Sequence, residues 1–132
     1  MGHQAKCTVL LVEDEEQVRG VVRAQLLSWG YAVLEAGNFL EAILACKGFE
    51  GEIQLLVTDV MVPAPLGGRL AECLVAMRPK LKVIFLSGDS YEWLVERGVL
   101  RLGVAFIQKP FSGETLKKKI REVLRGEEGR EG

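Results

Sequence analysis

The feature that most constrains this chain is a set of short runs that are apolar almost without interruption: TVLLV (8–12), IQLLVTD (53–59) and KVIFLS (82–87). A strand with one wet face alternates apolar and polar residues, whereas a strand covered on both faces has no polar positions to spare. Runs this short and dense are expected as inner strands of a parallel sheet. YAVLEA (31–36) and VAFIQK (104–109) are read as their companions. Parallel neighbours cannot be joined by tight hairpins, so each step needs a crossover, usually a helix.

The intervening segments supply that period. Val18, Val21, Val22, Leu26 and Trp29 trace one helical stripe, with Gly30 placed to stop it. Residues 38–47 carry Asn38 as a cap and apolar side chains at 39, 43 and 46. Leu70, Cys73, Leu74 and Met77 form another stripe, closed by Arg78-Pro79. Residues 90–98 are short and less regular, and Leu116, Ile120, Val123 and Leu124 follow Ser112, a good N-cap. The expected fold class is α/β: a five-stranded parallel sheet with right-handed crossovers and helices on both faces.

Composition agrees with a single globular domain: 132 residues, 48% hydrophobic and 27% charged. Seventeen Lys and Arg against 18 Asp and Glu leave a formal net charge of −1, which argues against non-specific nucleic-acid binding. The cluster Lys117, Lys118, Lys119, Arg121 and Arg125 is read as a solvated helix face. No apolar run reaches the ~18–20 residues needed to span a bilayer, and no signal-peptide pattern is present, so a soluble cytoplasmic domain is expected. Cys7, Cys46 and Cys73 are odd in number and form no CxxC pair; they are read as small core residues in a reducing compartment. Residues 1–6, with the lone His3, are expected to be a disordered N-terminus or cloning remnant, 7–125 the domain, and 126–132 a polar tail or remnant.

Open sheets of this class carry their sites at the carboxyl ends of the strands, near the reversal of strand order. There the sequence has Glu13, Asp14, Glu15 and Glu16 after the first run, Asp59 after the third, Ser87 after the fourth and Lys109-Pro110 after the fifth. Each has an ordinary explanation alone: acids favour a helix N-terminus, Asp59 suits a turn, Ser87 a cap, Lys109 a solvated surface. Together they place carboxylates, a hydroxyl and an ammonium on one edge. Crowded carboxylates need a cation, and oxygen-only donors suit Mg²⁺. The lysine and hydroxyl supply donors for phosphoryl oxygens, and a central aspartate is a candidate nucleophile.

The set EDE, TDVMVP, LSG and QKPF resembles the receiver domain of two-component response regulators, over about residues 7–125. The resemblance implies a (βα)5 flavodoxin-like fold with Asp59 as phosphoacceptor. It implies Mg²⁺ held by Glu13, Asp14, Asp59 and the main-chain carbonyl of Met61. It makes Ser87 the switch hydroxyl, Phe106 the switch aromatic and Lys109 the phosphate-contacting lysine, with a cis Lys109–Pro110 peptide. Met61 and Asp89 would flank the approach of water and tune the lifetime of the phosphate. LAECLVAMRPKLKVIFLSG, VERGVL and GVAFIQKPF are similar to receivers at the C-terminus of hybrid sensor histidine kinases. The implied partners are a histidine kinase, a histidine phosphotransfer domain or a kinase core in the same chain, with the receiver a monomer or weak dimer.

The loop MVPAPLGG departs from the family pattern, with Val62 in place of a methionine and an apolar Leu66, which bears on partner preference. A nucleotide or flavin module would want a glycine- or hydroxyl-rich loop after the first strand, where the acidic run would repel phosphate. A haloacid-dehalogenase-like phosphatase would want a carboxylate at position 61, which is methionine. The remaining alternative is an interaction domain of the same fold that works without phosphorylation.

Overall fold

The structure, a computed structural model, describes residues 7–126. The expectations for residues 1–6, including His3, and for 127–132 lie outside the described residues. Five strands and five helices alternate: β1 (Thr8–Val12), α1 (Glu16–Ser28), β2 (Ala32–Ala36), α2 (Phe39–Gly48), β3 (Leu55–Asp59), α3 (Gly67–Met77), β4 (Lys82–Ser87), α4 (Tyr91–Glu96), β5 (Ala105–Gln108) and α5 (Gly113–Leu124). All strand pairs are parallel, in the order β2-β1-β3-β4-β5. This is the (βα)5 flavodoxin-like arrangement.

Strand order explains the density of the apolar runs. β1 and β3 lie inside the sheet and every one of their residues is buried, whereas edge strand β2 buries only Ala36. Successive side chains on a strand point to opposite faces. Leu10, Val12, Leu56 and Phe85 accordingly join the core beneath α2, α3 and α4. Val9, Leu11, Val57, Leu86 and Ile107 join the core beneath α1 and α5.

Local signals set the helix ends. Gly30 takes a φ of +94° just past α1, a left-handed conformation that costs glycine little. Asn38, Ser90 and Ser112 each accept a backbone N–H three residues on, capping α2, α4 and α5. The stripes need correction at their flanks. Val21 is 61% exposed, because Val22 and Leu26, one turn apart, define the buried face of α1. On α3 that face is Leu70, Ala71 and Leu74, leaving Cys73 half-buried and Met77 exposed. Only Cys46 is a buried thiol; Cys7 and Cys73 are half-buried.

Candidate functional site

β1 and β3 are adjacent although β2 separates them in sequence, so their carboxyl ends meet at the reversal of strand order. Glu13 follows β1 directly and is 1% exposed; its N–H donates to the carbonyl of Ala36, beyond the end of β2. Asp59 closes β3 at 6% exposure, and the N–H of Met61 donates to its Oδ1 at 2.8 Å. Lys109 arrives from the end of β5, where its N–H donates to the carbonyl of Ser87 at 2.8 Å. Its ammonium donates to Glu13 Oε1 at 2.9 Å and also to Asp59 Oδ2. One cation from the far edge of the sheet thus joins two buried carboxylates from its middle.

Burial drives the electrostatics. Loss of water pushes the Glu13 carboxyl up to about 7; the Lys109 hydrogen bond opposes this and the nearby Asp59 charge adds to it. Burial pulls the Lys109 ammonium down, but its hydrogen bonds to Asp59 and Glu13 outweigh that and leave it raised. The contact thus favours the charged form of Lys109, while burial disfavours that of Glu13 in spite of it.

The other expected residues stand around this pair. Asp14 is exposed next to Glu13, and Met61 is 40% exposed. Ser87 is buried at the end of β4, its hydroxyl accepting the N–H of exposed Asp89 at 2.9 Å; it is bonded to its own loop. Phe106 is half-buried on β5 with the ring of Tyr91 5.6 Å away, and the Tyr91 hydroxyl accepts the N–H of Gly103. The Lys109–Pro110 peptide is cis, and so is Val62–Pro63 in the loop after Asp59. Lys109 therefore touches both Glu13 and Asp59; Met61 is bonded to Asp59, Ser87 to Lys109 and Asp89 to Ser87, while Asp14 joins the group only as the neighbour of Glu13 in the chain and Phe106 lies apart on the outer strand.

Two participants were not among the expected site residues. Gly67 packs so closely under the loop that an added Cβ would lie 2.6 Å from the carbonyl oxygen of Asp59. Arg19 Nη1 donates to the carbonyl of Glu13 at 2.8 Å. The LGG triplet hints at the first; nothing local marks the second, whose partner is main chain.

Among the described residues no three His, Cys, Asp or Glu side chains stand together as a metal-holding group. The Lys109 ammonium lies between Glu13 and Asp59, as two buried like charges require. The donor set still fits Mg²⁺: Glu13, Asp14, Asp59 and the Met61 carbonyl offer only oxygen, and burial disfavours the Glu13 carboxylate, a cost that a bound cation would offset.

Comparison with known proteins agrees with this architecture. Residues 9–121 match the family described as response regulator receiver domain. The chain is 39% identical over 118 residues to the sensor kinase CckA of Brucella abortus, covering 89% of this chain and 12% of that kinase. It is 30% identical over 126 residues to the transcriptional regulatory protein RprY of Bacteroides fragilis, covering 95% of this chain and 52% of that one. It spans from about an eighth to about half of the length of these curated relatives. Among solved structures, the receiver domain of the hybrid histidine kinase CckA superposes with a TM-score of 0.73 at 33% identity, covering 89% of this chain and 98% of that one. A CheY-like receiver from Methanospirillum hungatei gives 0.77 at 26%, covering 97% and 100%. With the fold, the strand-end residues and the sequence match in agreement, the chain belongs to the response regulator receiver domain family of two-component signalling.

Proposed function

We propose that this receiver takes a phosphoryl group from a phosphohistidine onto Asp59 and changes its surface in response. The observation that carries the reading is the Lys109 ammonium held between two buried carboxylates at the reversal of strand order. An Asp59 oxygen attacks phosphorus as the bond from phosphorus to the histidine nitrogen breaks; the electron pair leaves with that nitrogen, which is reprotonated from solvent. The reaction is mainly a matter of alignment and charge neutralisation. Lys109 is already hydrogen-bonded to the acceptor and needs only to follow the charge onto the phosphoryl oxygens. Glu13, Asp14, Asp59 and the Met61 carbonyl would hold Mg²⁺, which supplies neutralising charge to the transferring group.

The switch follows from the hydroxyl. Ser87 would exchange its bond from the Asp89 N–H for one to a phosphoryl oxygen, drawing the β4–α4 loop inward. The space vacated would receive Phe106, which leaves the ring of Tyr91. The change is a shift between two populated arrangements, felt on α4, β5 and α5.

The donor is a histidine kinase or phosphotransfer domain, in another chain or in the same one. An apolar groove of about 520 Å³ supports this, lined by Val18, Val21, Val22, Pro110 and Phe111 with Lys109 at its edge. Exposed Val21 gives a helix carrying the donor histidine an apolar footing beside the acceptor. Among the described residues no helix is long and apolar enough to cross a membrane.

The test is incubation with Mg²⁺ and acetyl phosphate followed by intact mass. One added phosphoryl group is expected, absent from Asp59→Asn. An unmodified chain, or an Asp59→Asn variant modified as fully as the parent, would overturn the reading; the former would favour an interaction domain that works without phosphate.

A further inference from the structure

Arg19 lies on the first turn of α1, and its guanidinium faces two ways. Nη1 donates to the main-chain carbonyl of Glu13 at 2.8 Å, and Nε donates to Glu35 Oε1 at 3.2 Å. Glu35 belongs to β2, and its other oxygen accepts Arg23 Nη1 at 3.0 Å. The N–H of Glu13 is meanwhile bonded to the carbonyl of Ala36 at 3.1 Å. The backbone of Glu13 is therefore anchored on both sides to the end of β2: directly at its nitrogen, and through Arg19 and Glu35 at its carbonyl. That carbonyl belongs to the peptide that carries Asp14, so its orientation sets where the Asp14 backbone stands. Gly37 leaves room for the arrangement, since a Cβ there would lie 3.3 Å from Arg19 Nη1.

Stability alone explains this poorly. The side chains of Arg19 and Glu35 are 20% and 32% exposed, and partly solvated ion pairs of this kind contribute little to stability. What the guanidinium adds is direction: its rigid fork donates along two fixed axes, which an ammonium on a flexible stem does not reproduce.

We propose that Arg19 is a positioning residue that fixes the Glu13–Asp14 peptide, and with it the Mg²⁺ affinity of the acidic end of the sheet, with Glu35 holding Arg19 in place. The inference rests on the Mg²⁺ reading above. It opposes simple electrostatics: removing a cation beside the site should strengthen Mg²⁺ binding by Coulomb's law, whereas loss of positioning weakens it.

The experiment is calorimetric titration of the full chain with Mg²⁺, together with the amide resonance of Asp14 recorded without added Mg²⁺. Arg19→Ala is expected to weaken Mg²⁺ binding about tenfold, at the lower end of what outer-shell partners cost, and to shift the Asp14 amide. Arg19→Lys, which keeps the charge, should lose most of the same affinity, and Glu35→Ala, which removes the side-chain acceptor of Arg19 Nε, an intermediate share. Arg23→Ala also removes a Glu35 partner but has no contact with Glu13 among its hydrogen bonds; it should change affinity less than about twofold. Should Arg19→Ala fail to fold, Arg19→Lys and Glu35→Ala carry the test. Unchanged or tighter Mg²⁺ binding in the Arg19 variants overturns the role of Arg19. Asp14→Ala combined with Asp59→Ala separates the two failures. If that double variant loses Mg²⁺ while Arg19→Ala keeps it, only the positioning role falls; if it binds as before, the site itself falls and the inference with it.

Discussion

Replacing Glu13 with glutamine keeps the shape of a buried side chain and removes a charge that the fold holds at a cost. Burial raises this carboxyl from 4.5 to about 7. With the folded value above the unfolded one, the protonated group's contribution is complete below about 4.5 and is lost as pH rises through about 7. At about 1.4 kcal/mol per tenfold, the ionised form costs the fold about 3 kcal/mol at pH ~8. Glutamine avoids that cost, and its carbonyl can still accept from Lys109 or the Glu15 N–H, the present partners of Glu13. Its amide N–H₂ must find an acceptor in a buried place, a loss of about 1 kcal/mol. The net expectation without added Mg²⁺ is a gain of about 2 kcal/mol near pH 8, or roughly 6–10 °C in Tm for a domain of this size. The gain should shrink toward zero or reverse slightly near pH ~4, where glutamic acid is neutral in both states. Saturating Mg²⁺ should stabilise the parent more than Glu13→Gln and so narrow the gap, as linkage requires of a cation bound through that carboxylate. Thermal melts at the two pH values, with and without Mg²⁺, measure all of this. A variant less stable than the parent at pH ~8, or a difference that does not change with pH, would refute burial of the charge as the source of the raised pKa.

Gly67→Ala should destabilise the fold by about 2–3 kcal/mol in urea unfolding, because the new Cβ meets backbone atoms only, at 2.6, 2.8 and 2.9 Å. The Arg78 guanidinium bonds the carbonyls of Cys46, Phe49 and Gly51 around the end of α2. Arg78→Ala should therefore cost about 2–3 kcal/mol without affecting phosphorylation by acetyl phosphate; a loss under 0.5 kcal/mol would show that water replaces the clamp. Met61 is 40% exposed beside the acceptor and offers water almost no hydrogen bonding. Met61→Asn should shorten the lifetime of the phosphorylated form in a mass-spectrometric decay series, and an equal or longer lifetime would contradict the shielding argument. Asp89→Ala, in the same series, tells whether that acid helps or hinders the water.

The alternation of elements was legible from the chain alone because its causes are local or periodic. Apolar density marks a strand buried on both faces, Gly30 ends α1 by its own backbone freedom, and Asn38, Ser90 and Ser112 cap helices within a few residues of themselves. The candidate site residues were legible for a related reason: every crossover in a parallel sheet returns the chain to the same edge, so residues just after the strands must gather there. What stood in contact was a tertiary matter. The Lys109 ammonium reaches Glu13 across 96 positions and Asp59 across 50. Arg19 serves a carbonyl, a group every residue possesses, and Arg78 binds three more. The exposure of Val21 and Met77 depends on which face of each helix packs down, Val22 and Leu26 on α1 and Leu70, Ala71 and Leu74 on α3, which a stripe drawn on one helix does not contain. Periodicity is a property of a segment, but contact, burial and the raised pKa of Glu13 are properties of a place, and a place exists only once the five strands have assembled around it.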